Sequence, residues 1–183
     1  MIQSRIAGLV AALTLVTMLG APALTVAEET FKARLRGFQE VPAISTEASG
    51  EFSAKINDDA TSIEYILSYQ DLTGTVTQGH IYLGQFSVNG GISVWLCQTE
   101  DTDPPFRDPT SQAPICPQLG TVTGKITADN VIGPAGQGID AGEFAELVDA
   151  IRAGVTYANV HTRPQFGGGE IRGQIRRVSI DKD

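Results

Sequence analysis

The sequence predicts an all-β protein, an antiparallel Greek-key sandwich or barrel with one short helix at about 141–153. Three observations carry that expectation. Apolar and polar residues alternate with period two along several stretches. Clusters of Asn, Asp and Gly separate several of those stretches with turn chemistry. One segment carries apolar residues at helical spacing. About eight short strands with short connections suit stacked or closed antiparallel layers better than a parallel sheet.

The first element is not part of the fold. Residues 1–5 carry one positive charge, residues 6–19 are apolar apart from Thr and Gly, and small residues lead to Thr25-Val26-Ala27 ahead of Glu28-Glu29. That order reads as a secretory signal, and the apolar run is short for a membrane span. Cleavage is expected after Ala27. No Cys lies near that point, so a lipid anchor is not expected. Residues 28–183 then form a single domain without a membrane span, periplasmic or secreted, able to bury roughly 70% of the unfolded chain's surface.

Strands follow in order. Phe31, Ala33 and Leu35 alternate with Lys32, Arg34 and Arg36. Phe52, Ala54 and Ile56 alternate with Glu51, Ser53 and Lys55. Ile63, Tyr65, Leu67 and Tyr69 alternate with Glu64, Ser68 and Gln70, and Ile66 alone breaks the rule. Further strands are expected at about 75–86, 91–98, 120–128, 155–162 and 169–178. Asn57-Asp58-Asp59, Asn89-Gly90-Gly91 and Gly167-Gly168-Gly169 supply turns between them. Phe144, Leu147, Val148 and Ile151 fall at i, i+3, i+4 and i+7, which predicts the helix. Asp140 is placed to cap it, Glu143 to complete a capping-box-like pair, and Gly154 to end it.

The chain holds 13 Lys and Arg against 21 Asp and Glu, a net charge of −8 that becomes −9 once Arg5 is removed. An acidic surface repels nucleic acid and anionic membranes, so neither is an expected partner. The two cysteines, Cys97 and Cys116, remain after cleavage, and a small even count in an oxidising compartment reads as a disulfide. Closing a loop of about 20 residues contributes on the order of 3 kcal/mol in the chain-entropy picture. Within that loop Glu100, Asp101, Asp103 and Asp108 lack the fixed spacing of an EF-hand and read as a proline-stiffened, solvated segment. Gly133–Gly138 precedes the helix without phosphate-loop spacing or its lysine, and reads as a turn. No nucleophile elbow occurs, so no residue is assigned a catalytic role.

The only two histidines, His80 and His161, lie in predicted strands. If Ile81 and Leu83 face the core, His80 and Tyr82 share the opposite face. If Ala158 and Val160 face the core, Tyr157, Asn159 and His161 also point away from it. Glu170, Arg172 and Gln174 take the same position in the last strand.

Four segments, in order, carry a resemblance. They are Leu35-Arg36-Gly37-Phe38-Gln39-Glu40-Val41-Pro42; Gly79-His80-Ile81-Tyr82-Leu83-Gly84 with Asn89-Gly90; Ala153-Gly154 with Tyr157-Ala158-Asn159-Val160-His161-Thr162; and Gly169-Glu170-Ile171-Arg172-Gly173-Gln174. Together they resemble the CHRD domain, named for chordin and widespread in exported bacterial proteins, over about 31–177. The resemblance implies an extracellular all-β domain, similar in plan to the Greek-key barrel of copper–zinc superoxide dismutase, and names no ligand. Many members carry His-Ile-His where this chain has His80-Ile81-Tyr82.

Two functional readings follow. The first is a non-enzymatic exported module of binding or envelope architecture, needing no cofactor, whose partner is an extracellular or envelope protein or a small ligand. In it His80, Asn159, His161, Glu170 and Arg172 form a hydrogen-bond and ion-pair network, with Glu170 or Glu40 balancing Arg172. The residues favour this one, because polar networks commonly satisfy buried groups. The second is a copper or zinc protein with His80, His161 and Tyr82 as ligands. An enzyme of superoxide-dismutase type ranks third, since it needs more ligands than are visible.

Overall fold

The computed structural model describes residues 29–100 and 107–179. The segment 1–27 expected to be a signal, its expected cleavage point, and Asp101 and Asp103 of the cysteine loop lie outside the described residues. Among the described residues there are nine strands: β1 Glu29–Arg36, β2 Ser49–Ile56, β3 Ile63–Gln70, β4 Thr75–Leu83, β5 Gly91–Gln98, β6 Gly120–Ile126, β7 Thr156–Arg163, β8 Phe166–Gln174 and β9 Arg176–Arg177. One α-helix, α1 Phe144–Arg152, interrupts them.

All the strand pairings are antiparallel, in the order β5-β4-β7-β8-β1-β2-β3-β6, with β9 paired to β1. Two four-stranded halves result, β1-β2-β3-β6 and β5-β4-β7-β8, joined where Arg36 pairs with Arg172. The chain crosses between halves after β3, β5 and β6, which is Greek-key connectivity. Near the free edges of β5 and β6, a bridge between Gln98 and Ile115 and the Cys97–Cys116 disulfide bring the halves together. The Tyr65 hydroxyl donates to the Leu96 carbonyl across the same interface at 2.5 Å.

The period-two pattern fills the space between the halves. Phe31, Leu35, Phe52, Ile56, Ile63, Leu67, Ile81, Leu96, Val160 and Ile171 are at most 1% exposed. Burying each such side chain contributes about 1.5–3 kcal/mol relative to leaving it in water. Ile66, which breaks the alternation in sequence, keeps it in space: it points outward and is half exposed.

Three boundaries differ from expectation. The helix starts at Phe144 rather than 141, because Gly142 takes a left-handed φ of +87° that a helix cannot continue through. Asp140 therefore does not cap it; instead Glu143 occupies the cap position, and its carboxylate accepts from the Asp140 backbone N–H at 2.7 Å. The apolar stripe itself is as expected, with Phe144, Leu147, Val148 and Ile151 buried in the common core, and Gly154 at φ +69° ends the helix. The expected strand at 75–86 stops at Leu83, and the one at 169–178 divides into β8 and β9 around Ile175.

Candidate metal centre

The polar residues of β4, β7 and β8 occupy the outer face of their half-barrel, yet they are buried. His80 and His161 are 0% and 3% exposed, and Arg172 is 1% exposed. The segments 37–48 and 84–90 lie against this face and are tied together by Asn89 Nδ2, which donates to the Val41 carbonyl at 2.9 Å. A second interior results, polar where the first is apolar.

Register sets the convergence. Tyr82 pairs with Tyr157, His80 with Asn159 and Gln78 with His161, and irregularities at Val76/Gln78 and Gly79/His80 shift neighbouring positions. Alternation puts all six side chains on one face. Three polar atoms then meet: His80 Nδ1 lies 3.2 Å from His161 Nε2, Tyr82 Oη lies 3.2 Å from His80 Nδ1, and Tyr82 Oη lies 3.1 Å from His161 Nε2. The three form a nearly equilateral triangle.

Chemistry fixes one tautomer. His161 Nδ1 is 3.0 Å from the Gly167 carbonyl, which only accepts, so Nδ1 carries the proton and Nε2 presents a lone pair to the triangle. Burial pushes the His161 imidazolium down to about 4 and that of His80 well below its ordinary value, the latter also through His161. Burial raises the Tyr82 phenol. Trp95 meets the His80 ring edge-on at 4.3 Å between centroids, and Tyr157 stacks on Tyr82 at 4.9 Å. His80 Nε2 has no hydrogen-bond partner among the described residues.

The remaining charged residues do not form one network with the histidines. Among the described residues Arg172 hydrogen-bonds no carboxylate: its guanidinium donates to Asn89 Oδ1 (3.1 Å) and to the carbonyls of Gln85 (3.1 Å) and Val88 (2.7 Å). It also lies 3.4 Å above the Tyr157 ring. Glu40 accepts from Asn159 Nδ2 at 3.3 Å. Burial pushes its carboxyl up to about 7, against the opposing pull of Arg172 and Asn159. Glu170 turns elsewhere. It accepts from Thr46 Oγ1 (2.8 Å), the Thr73 backbone N–H (2.9 Å) and Thr162 Oγ1 (2.6 Å). Burial pushes its pKa up, but those donors outweigh it and hold it below the ordinary carboxylate value. Of the two carboxylates expected to balance Arg172, Glu170 turns to the threonines, and Glu40 acts on Arg172 through space without a hydrogen bond.

Sequence reasoning placed His80 and Tyr82 on the non-core side of one strand and His161 on that of another, without showing the strands adjacent, and it missed Trp95, Tyr157's stacking role and the Gly167 carbonyl. The Gly167–Gly169 run read only as a turn. Gly169 in fact sits at φ +126°, where a Cβ would fall 2.5 Å from Asn159 Oδ1 and 2.8 Å from Glu40 Oε1.

The cysteines form the expected disulfide, with a sequence separation of 19. No curated protein and no solved structure matches the chain. The CHRD domain model matches residues 31–175, most of the sequence, and the chain belongs to the CHRD domain family.

Proposed function

We propose that this protein is an exported CHRD module that binds one transition-metal ion, zinc or copper, through His80 Nδ1, His161 Nε2 and Tyr82 Oη. One observation carries the reading: three donor atoms stand 3.1–3.2 Å from one another. An ion with bonds of about 2.0–2.1 Å in tetrahedral geometry holds its ligand atoms about 3.3 Å apart. A square-planar ion of similar bond length would need separations of about 2.9 and 4.1 Å. The near-equal sides thus favour zinc or cuprous copper over tetragonal cupric copper.

Hydrogen bonding alone accounts for the triangle less well. His161 Nε2 supplies no proton, because its tautomer is set by Gly167. Tyr82 and His80 Nδ1 can supply at most one each, so three short edges share at most two hydrogen bonds. An ion accepts a lone pair from all three. Three protein donors would leave a tetrahedral ion one further position, suited to water or an exchangeable ligand. Binding of the ion is the role that these three donors support. The disulfide and the signal-like segment 1–27 support an extracytoplasmic location.

Elemental analysis and metal titration of protein purified without a His tag test the reading. We expect one zinc or cuprous ion per chain. Tyr82→Phe should weaken binding by about 10–100-fold, and the His80→Ala, His161→Ala double variant should lose it. Unchanged affinity in the double variant would end the proposal.

A further inference from the structure

We propose that the outward face of β1, β2, β3 and β6 is a binding groove for a linear anionic glycan, a chain bearing uronate or sulfate groups. This surface lies on the half of the barrel that does not hold the histidines and stands independently of the metal reading.

The outward positions follow from alternation and register. Arg36 pairs with Ser49 and Ser49 with Gln70; Arg34 pairs with Glu51, Glu51 with Ser68 and Ser68 with Thr121. Lys32 pairs with Ser53 on one side and Arg176 on the other, and Ser53 continues to Ile66 and Thr123. Lys55, Glu64 and Lys125 form the last rank. Three hollows, of about 760, 430 and 820 Å³, lie along these ranks. The first two share Arg34, Glu51 and Ser68, and the last two share Lys32, Ser53 and Ile66, so they join into one groove. From Thr30 to Arg36 it extends roughly 20 Å at strand rise.

The charge on this face opposes that of the protein. Six of the 13 Lys and Arg, namely Lys32, Arg34, Arg36, Lys55, Lys125 and Arg176, stand on it with three of the 21 acids, Glu51, Glu64 and Asp71. The face carries +3 while the rest of the chain carries −11. The net charge of the rest of the chain repels a polyanion, and this face attracts one. Moreover, Lys32, Arg34, Arg36 and Lys125 make no ion pair among the described residues, although Glu51 stands opposite Arg34 in register. Their charges are available to a ligand. On β1 three of them recur every second residue, a spacing of about 7 Å along a line.

The chemistry between the cations selects the occupant. Ser49, Ser53, Ser68, Thr121, Thr123 and Gln70 offer donors and acceptors of the kind sugar hydroxyls need. Nucleic acid bases would need exposed rings to stack on, and the aromatic residues lining the groove, Phe52, Tyr65 and Tyr69, are at most 4% exposed. A bilayer would need apolar anchors, and only Ile66 and, at one end, Leu119 protrude.

Affinity electrophoresis of the purified protein through polygalacturonate tests the proposal. We expect retardation at low salt that fades as salt rises, and at least tenfold weaker binding for the Lys32→Gln, Arg34→Gln, Arg36→Gln triple variant. Arg152→Gln, Arg163→Gln, Arg177→Gln has the same net charge off this face and should bind as wild type does. Arg34→Gln alone should give an intermediate loss, which keeps the test decisive if the triple variant folds poorly. Absence of retardation, equal weakening in the two triple variants, or tighter binding to phosphatidylglycerol vesicles or single-stranded DNA than to polygalacturonate would each overturn it.

Discussion

Replacing Arg172 by Met keeps most of the side-chain volume and removes the charge and every donor. The guanidinium is 1% exposed and makes three charge-assisted hydrogen bonds, to Asn89 Oδ1 and to the Gln85 and Val88 carbonyls. Each bond of that kind contributes about 1.5–3 kcal/mol, and its stacking on Tyr157 adds about 1 kcal/mol. Two corrections pull the sum down. Residues 85–89 are exposed, so water can reach part of the vacated acceptors, and the native charge already bears a desolvation cost that Met does not. The net loss is about 2–4 kcal/mol, which for a domain of this size lowers the melting temperature by roughly 4–16 °C. Hydrogen exchange should place the damage: amides of segment 84–90 should lose protection before those of β1–β3. Thermal and urea unfolding of Arg172→Met supply the magnitude. A loss below about 1 kcal/mol, or opening spread evenly over the barrel, would refute the claim that Arg172 fastens this segment over the polar interior.

Two further outcomes follow from the same structure. Reducing Cys97–Cys116 should cost about 3 kcal/mol by restoring chain entropy to the unfolded state, with the β signal in far-ultraviolet circular dichroism retained because most strands lie outside the loop; an unchanged melt would contradict this. Glu40 should make stability fall as pH rises. Burial raises its folded-state value from 4.5 to about 7, so the folded state holds a proton that the unfolded state has already released in that window. Wild type should therefore lose on the order of 3 kcal/mol between about pH 4.5 and 7 from this group, and Glu40→Gln should flatten that slope and be the more stable protein at pH 8. Identical pH profiles for the two proteins would show that the carboxyl is not perturbed.

Much of the architecture was legible in the chain. Phe31, Ala33 and Leu35, or Ile63, Tyr65 and Leu67, commit their strands to one inward face, since a slip by one residue would expose all of them. The stripe at Phe144, Leu147, Val148 and Ile151 located the helix, whereas its start depended on the φ of Gly142, which composition does not reveal. Alternation also turned His80, Tyr82 and His161 away from the core, but the β4–β7 pairing that brings them together was not legible. Nor did alternation fix their spacing, because register irregularities at Val76/Gln78 and Gly79/His80 set which side chains stand level. Glu170 and Arg172 share a strand face in sequence, yet one turns to three threonines and the other to backbone carbonyls of segment 84–90. Carbonyl acceptors such as Gly167, Gln85 and Val88 carry no side-chain signature, so the polar interior could be anticipated in membership but not in wiring.

The central claim is that three side-chain atoms share one ion, and nitrogen NMR of the histidine rings reads it atom by atom. Ring spectra of the labelled protein titrated with zinc should show His161 Nε2 and His80 Nδ1 shifting together up to one equivalent. His161 Nδ1–H should persist throughout, held by the Gly167 carbonyl. Rings whose spectra stay the same as zinc is added, or a response at His80 Nε2 in place of Nδ1, would contradict the proposed centre.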